Sequence, residues 1–249
     1  MTLYHGLPGV YFRSVIEWQS ENFRVFVRFP MAFVIPNDEA WYEIPYGLLK
    51  RDAYDGQFGG HTLPNGDWPA LDSVTCRNDA EDYTVTVCNR GLPCNRVKDG
   101  ILMLGLVRSP QIPVFCENIA GAREVGPNVF EYAMFSSPGS LRDGRVLQRG
   151  HEFNAQFNAA TAGPGGSLSA THSFLQNDAD NVQLSAVKRA EDNDDLVIRG
   201  YELYGDTAAD TLDGVDSTGL VQTNLLEREP KPAANIRYRP HEIKTLRLQ

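Results

Sequence analysis

Basic residues are in the minority. Twenty-three Lys and Arg stand against 32 Asp and Glu, a formal charge of −9. A chain of that sign is repelled by phosphate backbones and anionic lipid, so neither nucleic acid nor membrane is an expected partner. No apolar run approaches the ~18 residues that span a bilayer. Met1-Thr2-Leu3-Tyr4-His5-Gly6 lacks the basic and apolar regions of a secretory leader. Cysteine is scarce: Cys76, Cys88, Cys94 and Cys116. That density excludes a disulfide-stapled scaffold, and the spacing of Cys88 and Cys94 is not that of a zinc knuckle. Four reduced, mostly buried thiols in a cytoplasmic protein are expected, with a Cys88–Cys94 bridge as the alternative. The five histidines, His5, His61, His151, His172 and His241, show no metal-ligand spacing, so no metal is expected in this chain. There is no Gly-x-Ser-x-Gly elbow and no phosphate loop. Helical periodicity is nearly absent, as is any internal repeat.

What is present is strand pattern. The chain is organised around residues 82–110. Tyr83, Val85 and Val87 alternate with Thr84 and Thr86, the period of a strand with one buried face. Asn89-Arg90-Gly91-Leu92-Pro93 breaks the run with turn residues, and Asp99-Gly100 forms a second tight turn. Residues 101–107 are apolar almost without interruption, which predicts the most buried strand, covered on both faces. Pro110 ends it, because proline cannot donate to a ladder.

Residues 10–18 and 23–29 read as strands, the second with Phe23, Val25, Val27 and Phe29 on one face and Arg24 and Arg28 on the other. Residues 74–77 and 83–88 form a hairpin about Asn78-Asp79. Two long loops, 51–70 and 109–128, have the length of functional loops, and the first carries Tyr54, His61 and Trp68. Residues 146–157 are ambiguous between helix and strand. Gly163-Pro164-Gly165-Gly166-Ser167 is the clearest break, and further strands follow at 182–186, 196–203, 220–226 and 242–248. The pattern predicts an all-β fold: a large antiparallel β-sandwich over 1–162, a linker at 163–172, and a small β-sandwich over 173–249.

Chemistry is sparse. Asn89, Arg90 and Arg108 stand at strand ends, where sites are commonly built. The guanidinium groups offer planar donor forks to a polar ligand, or serve as ion-pair partners. Trp68 is suited to stacking on a sugar ring or to packing. His151, in Gly150-His151-Glu152-Phe153-Asn154, reads as a polar strand edge or a binding residue. Asp178-Ala179-Asp180 lacks the spacing and closing glutamate of a calcium loop.

Several pieces, in order, resemble the C-terminal β-region of family 38 glycoside hydrolases, the α-mannosidases and mannosylglycerate hydrolases. Val10-Tyr11-Phe12-Arg13 through Trp18, then residues 25–30, are similar to its opening strands. Tyr42-Glu43-Ile44-Pro45-Tyr46-Gly47, Trp68-Pro69-Ala70, Asn89-Arg90-Gly91-Leu92-Pro93, Leu106-Val107-Arg108-Ser109-Pro110 and Glu152-Phe153-Asn154 follow. Arg239-Pro240-His241-Glu242-Ile243-Lys244-Thr245-Leu246 resembles its close. Cys94-Asn95-Arg96 departs from the acidic and aromatic residues usual after Gly-Leu-Pro.

The resemblance implies a portion of a galactose-mutarotase-like supersandwich followed by a small sandwich. Family members use zinc and an aspartate nucleophile and retain configuration. Both groups lie in an N-terminal (β/α) barrel with a His-x-Asp motif, which nothing in this chain matches. The expected role is therefore non-catalytic, with zinc in that barrel and no catalytic residue here. The expected partner is the chain's own N-terminal catalytic domain or another subunit. Asn89, Arg90 and Arg108, with Trp68 and His151, would wall the sugar site and meet mannosides. The alternative is a stand-alone carbohydrate-binding module, or a structural one that forms homo-oligomers.

Overall fold

Strands of this sequence alternate, and a single alternating sheet leaves its apolar face wet, so sheets must stack. The computed structural model describes residues 1–52, 67–110, 123–155, 157–161, 163, 165–167, 169–233 and 235–248, with the backbone of 57–58 and 61–62. Tyr54, the His61 side chain, Cys116 and most of the second long loop lie outside the described residues. The chain divides into two compact units, Met1–Ala155 and Gln156–Gln249.

In the first unit the strands are β1 (Thr2–Leu3), β2 (Gly9–Trp18), β3 (Phe23–Pro30), β4 (Ala40–Ile44), β5 (Gly47–Arg51) and β6 (Trp68–Pro69). They are followed by β7 (Ser73–Asn78), β8 (Tyr83–Asn89), β9 (Cys94–Lys98), β10 (Ile101–Ser109), β11 (Gly126–Pro138) and the helix α1 (Val146–Asn154). Among the described residues they form a seven-stranded sheet, β1-β2-β11-β8-β7-β4-β5, and a four-stranded sheet, β3-β10-β9-β6, with antiparallel pairing throughout. Tyr42, Val74, Val85 and Val87 from the first share one core with Phe29, Val97, Leu102 and Leu104 from the second. This is the predicted large antiparallel sandwich.

Two strand assignments change places. Residues 101–107 are covered on one face only: Leu102 and Leu104 are fully buried, while Ile101 and Met103 are half-exposed. Coverage on both faces is found instead in β8, where Thr84 and Thr86 are only 1% and 3% exposed, and in the neighbouring β7. The threonines alternate as polar residues do, yet their hydroxyls pair with Ser137 and Thr75, both at 2.9 Å. Satisfied hydroxyls bury at little cost. Helix α1 supplies the cover, packing on β7 and β8. Within the ambiguous residues 146–157, Val146–Asn154 forms a helix that begins after Arg145 in the left-handed region, φ 51°.

A second irregularity sets the direction of Arg108. The β3–β10 register shifts between Gly105 and Val107. Strict alternation would send residue 108 inward with Leu104 and Leu106. The bulge reverses the phase, so Val107 and Ser109 are buried and Arg108 is exposed opposite Arg24.

The second unit holds a five-stranded antiparallel sheet: β12 (Val182–Arg189), β13 (Leu196–Glu202), β14 (Leu220–Thr223), β15 (Lys231–Pro232) and β16 (Ile243–Leu248), ordered β12-β13-β16-β14-β15. Short pairs, Gln176–Asn177 with Leu212–Asp213 and Ala208–Asp210 with Ile236–Tyr238, complete it. Val182, Ile198, Leu220, Tyr238 and Leu246 form its core. Among the described residues, no helix is long and apolar enough to cross a membrane.

Two buried carboxylates in this unit differ in their surroundings. Glu202, fully buried, accepts from Asn181 Nδ2 (3.0 Å) and from the backbone N–H of Tyr204 (2.9 Å), Gly205 (2.7 Å) and His241 (3.0 Å). Burial opposes its charge, but the backbone donors prevail and hold its acidity below the ordinary range. Asp210 accepts from Ala179 N–H at 3.0 Å, while its Oδ2 has no partner among the described residues. Burial, then the neighbouring charge of Asp178, pushes its carboxyl up to about 6.

The expected mutational signs are opposite. Glu202→Gln leaves buried donors unmatched and is expected to cost about 1–3 kcal/mol. Asp210→Asn mimics the protonated acid and is expected to stabilise by about 1–3 kcal/mol at neutral pH. Because the folded pKa of Asp210 lies above the unfolded value of ~4, its contribution is full below pH ~4 and is lost as pH rises through about 6. Urea unfolding of both variants across that window measures each effect.

Candidate functional site

The candidate residues sit at one end of the seven-stranded sheet and on the four-stranded one, Arg108 on its outer face and Trp68 packed against the core. At the first location β8 ends in the turn Asn89–Pro93. Asn89 is fully buried. Its Nδ2 donates to Leu71 O (3.0 Å), its Oδ1 accepts Leu92 N–H (2.7 Å), and its backbone N–H donates to Asp72 O (2.8 Å). Gly91, at φ +68°, lets the chain reverse without a Cβ penalty. Asn89 is thus committed to shaping the turn.

Arg90 next to it pairs with Glu131, donates to Phe153 O at 2.6 Å and lies over the Phe153 ring at 4.9 Å. Donation to a carbonyl in the last turn of a helix satisfies an acceptor that has no partner within the helix. Asn154 Nδ2 donates back to Asn89 O at 2.9 Å. Helix α1 and the turn therefore hold each other.

His151, on α1, has Nε2 3.1 Å from Oε1 of Glu43 on β4. Glu43 is 4% exposed, and its Oε2 accepts the Ser73 hydroxyl at 2.8 Å. Asp72 lies beside them, half-buried. The hydrogen bond to Glu43 raises the basicity of His151 against the opposing effect of burial. Burial, then the Glu43 charge, pushes the Asp72 carboxyl up. Glu43 and Asp72 are the residues that sequence reading missed. The available signal was a carboxylate inside the apolar run Ala40-Trp41-Tyr42-Glu43-Ile44, since a charge in a buried strand requires a partner.

On the outer face of the four-stranded sheet, Arg24 and Arg96 both pair with Asp67 and both lie over the Phe26 ring, at 5.3 and 5.4 Å. Arg108 is exposed on this face, and its guanidinium has no hydrogen-bond or ion-pair partner among the described residues. Trp68, half-buried, donates from Nε1 to Asp52 O at 3.1 Å, and Arg51 covers its ring at 4.9 Å. Both line a shallow surface depression of about 360 Å³ with Glu39, Lys50 and Asp52. The structure thus joins Asn89, Arg90 and His151 around α1, and leaves Arg108 and Trp68 on the other sheet. Cys76 and Cys88 are buried free thiols, and Cys94 is free and half-buried. Burial raises the Cys88 thiol well above its ordinary value.

Truncating Asn89 separates shaping the turn from binding. Asn89→Ala leaves Leu71 O and Leu92 N–H unmatched in the interior, with an expected loss of about 1–3 kcal/mol. Chemical denaturation checks it, with Arg108→Ala expected to fall within about 0.5 kcal/mol of the parent.

Comparison with known proteins gives this geometry a family context. Residues 181–246 match the model of the glycosyl hydrolases family 38 C-terminal beta sandwich domain. Alpha-mannosidase G of Dictyostelium discoideum is 23% identical over 253 residues, covering 95% of this chain and 22% of that protein. The crystal structure of an alpha-mannosidase from Enterococcus faecalis V583 superposes with a TM-score of 0.80 at 25% identity, covering 98% of this chain and 28% of that one. A second family 38 structure from Enterococcus faecalis gives 0.79 at 24% identity, again over 98% and 28%. The chain therefore spans between a fifth and a third of the length of these relatives. Residues 181–246 thus match the family 38 C-terminal beta sandwich model, and nearly the whole chain is similar in fold to part of the family 38 structures.

Proposed function

We propose that this chain is the non-catalytic C-terminal β-region of an α-mannosidase-like retaining glycoside hydrolase, supporting a catalytic barrel and walling part of its sugar site. The carrying observation is coverage. Nearly all of the chain aligns to a relative named an α-mannosidase, but to only 22% of that relative's length. The His-x-Asp motif expected of the zinc-binding barrel is absent from this sequence. Zinc, the nucleophile and the bond-breaking steps then belong to the barrel, which is this chain's partner in the reading.

Within that role, the side chains divide by commitment. Asn89, Arg90 and His151 are occupied in holding α1 and the turn. Arg108 is exposed, its guanidinium has no partner among the described residues, and it is our choice for a wall residue facing polar sugar groups. The free thiols of Cys76, Cys88 and Cys94 support a reducing, cytoplasmic setting.

The chain alone, supplied with zinc, is expected to give no turnover of an aryl α-mannoside. Robust hydrolysis would overturn the proposal. Titration with mannose oligosaccharides is expected to give no heat at millimolar sugar, because one wall does not make a site. Saturable binding would instead favour a free-standing carbohydrate-binding module.

A further inference from the structure

We propose that Glu43, Asp72 and His151 form a binding site for one first-row divalent cation, with zinc the best match. The three residues come from three separate places in the sequence: β4, the residue before β7, and α1. Folding brings one ligand atom from each within 4.8 Å of the other two. The Nε2–Oε1 edge, at 3.1 Å, is already at coordination spacing. Two ligands bound at ~2.0–2.1 Å in tetrahedral array lie ~3.3 Å apart. The remaining edges close by side-chain rotation of Asp72, the least buried carboxylate of the pair.

The donor set selects the class of ion. One imidazole nitrogen and two carboxylate oxygens suit a borderline cation, whereas calcium and magnesium take oxygen alone. Two carboxylates and a neutral imidazole carry a charge of −2, which a divalent ion balances in a partly desolvated place. Three protein ligands leave a position for water.

The surroundings resemble a built site. The Ser73 hydroxyl holds the second oxygen of Glu43 at 2.8 Å, an outer-shell contact that orients the ligand. Gly150 allows the helix to approach. A Cβ there would lie 3.1 Å from both Asp72 Cβ and Glu43 Oε2. All the ligands belong to this chain, so the site is testable without any other domain, and its failure would leave the C-terminal-region reading untouched.

Calorimetric titration of metal-free protein with zinc chloride tests the proposal, alongside thermal unfolding with and without zinc. The expected result is one equivalent bound and a raised unfolding temperature. Asp72→Asn, nearly isosteric, is expected to weaken binding at least ~10-fold, and Ser73→Ala about 10-fold. His151→Ala is expected to abolish it. Because His151→Ala also removes a helix contact, Asp72→Asn with an unchanged circular dichroism spectrum is the deciding variant. No zinc uptake by the parent at submillimolar metal, or uptake that Asp72→Asn leaves unchanged, overturns the site.

Discussion

The attachment of α1 to the outer face of the seven-stranded sheet is the constraint on which the first unit depends. That face carries Thr84, Thr86 and Cys88, all buried, so it needs a cover. The cover is held at three points. His151 meets Glu43 on β4, Arg90 meets the Phe153 carbonyl, and Asn154 meets the Asn89 carbonyl. Each uses a polar group that would otherwise be costly to bury, so breaking one exposes the next. Asn89 links the cover to the hairpin turn, and the turn leads directly into the four-stranded sheet through β9.

Against that rigid face, the other sheet shows a charged outer surface in a chain of net charge −9. Arg24 and Arg96 are neutralised in part by Asp67 and rest on Phe26, whereas Arg108 stands opposite Arg24 with its own charge unpaired among the described residues. Like charges directly across a strand pair repel. The Asp67 carboxylate shared by Arg24 and Arg96 offsets that repulsion at Arg24.

The second unit uses buried carboxylates differently. Glu202 gathers three backbone N–H groups and an amide, joining the loop after β13 to the approach to β16. Asp210 accepts from Ala179 N–H but is buried and faces Asp178, so its charge is disfavoured. One carboxylate organises loops through complete satisfaction, and the other makes the unit sensitive to protonation.

Strand existence, the antiparallel class and the hairpin at residues 73–89 were all legible in the linear sequence. Local patterning and turn chemistry carry that information. The motif order also pointed to the family 38 C-terminal region, which the family model and the fold matches support. What covers each strand was not legible. Alternating Thr84 and Thr86 look solvated until Thr75, Ser137 and α1 arrive from elsewhere in the chain. The continuous apolar run at residues 101–107 looks doubly buried, although only one of its faces meets the core. The direction of Arg108 depends on a one-residue bulge that no periodicity reveals. The Glu43–Asp72–His151 cluster joins residues up to 108 positions apart. Sequence by itself determined the main strands and their family resemblance, because those follow from local periodicity and motif. Tertiary structure alone decided which polar groups meet, because burial and pairing are set by neighbours distant in the chain.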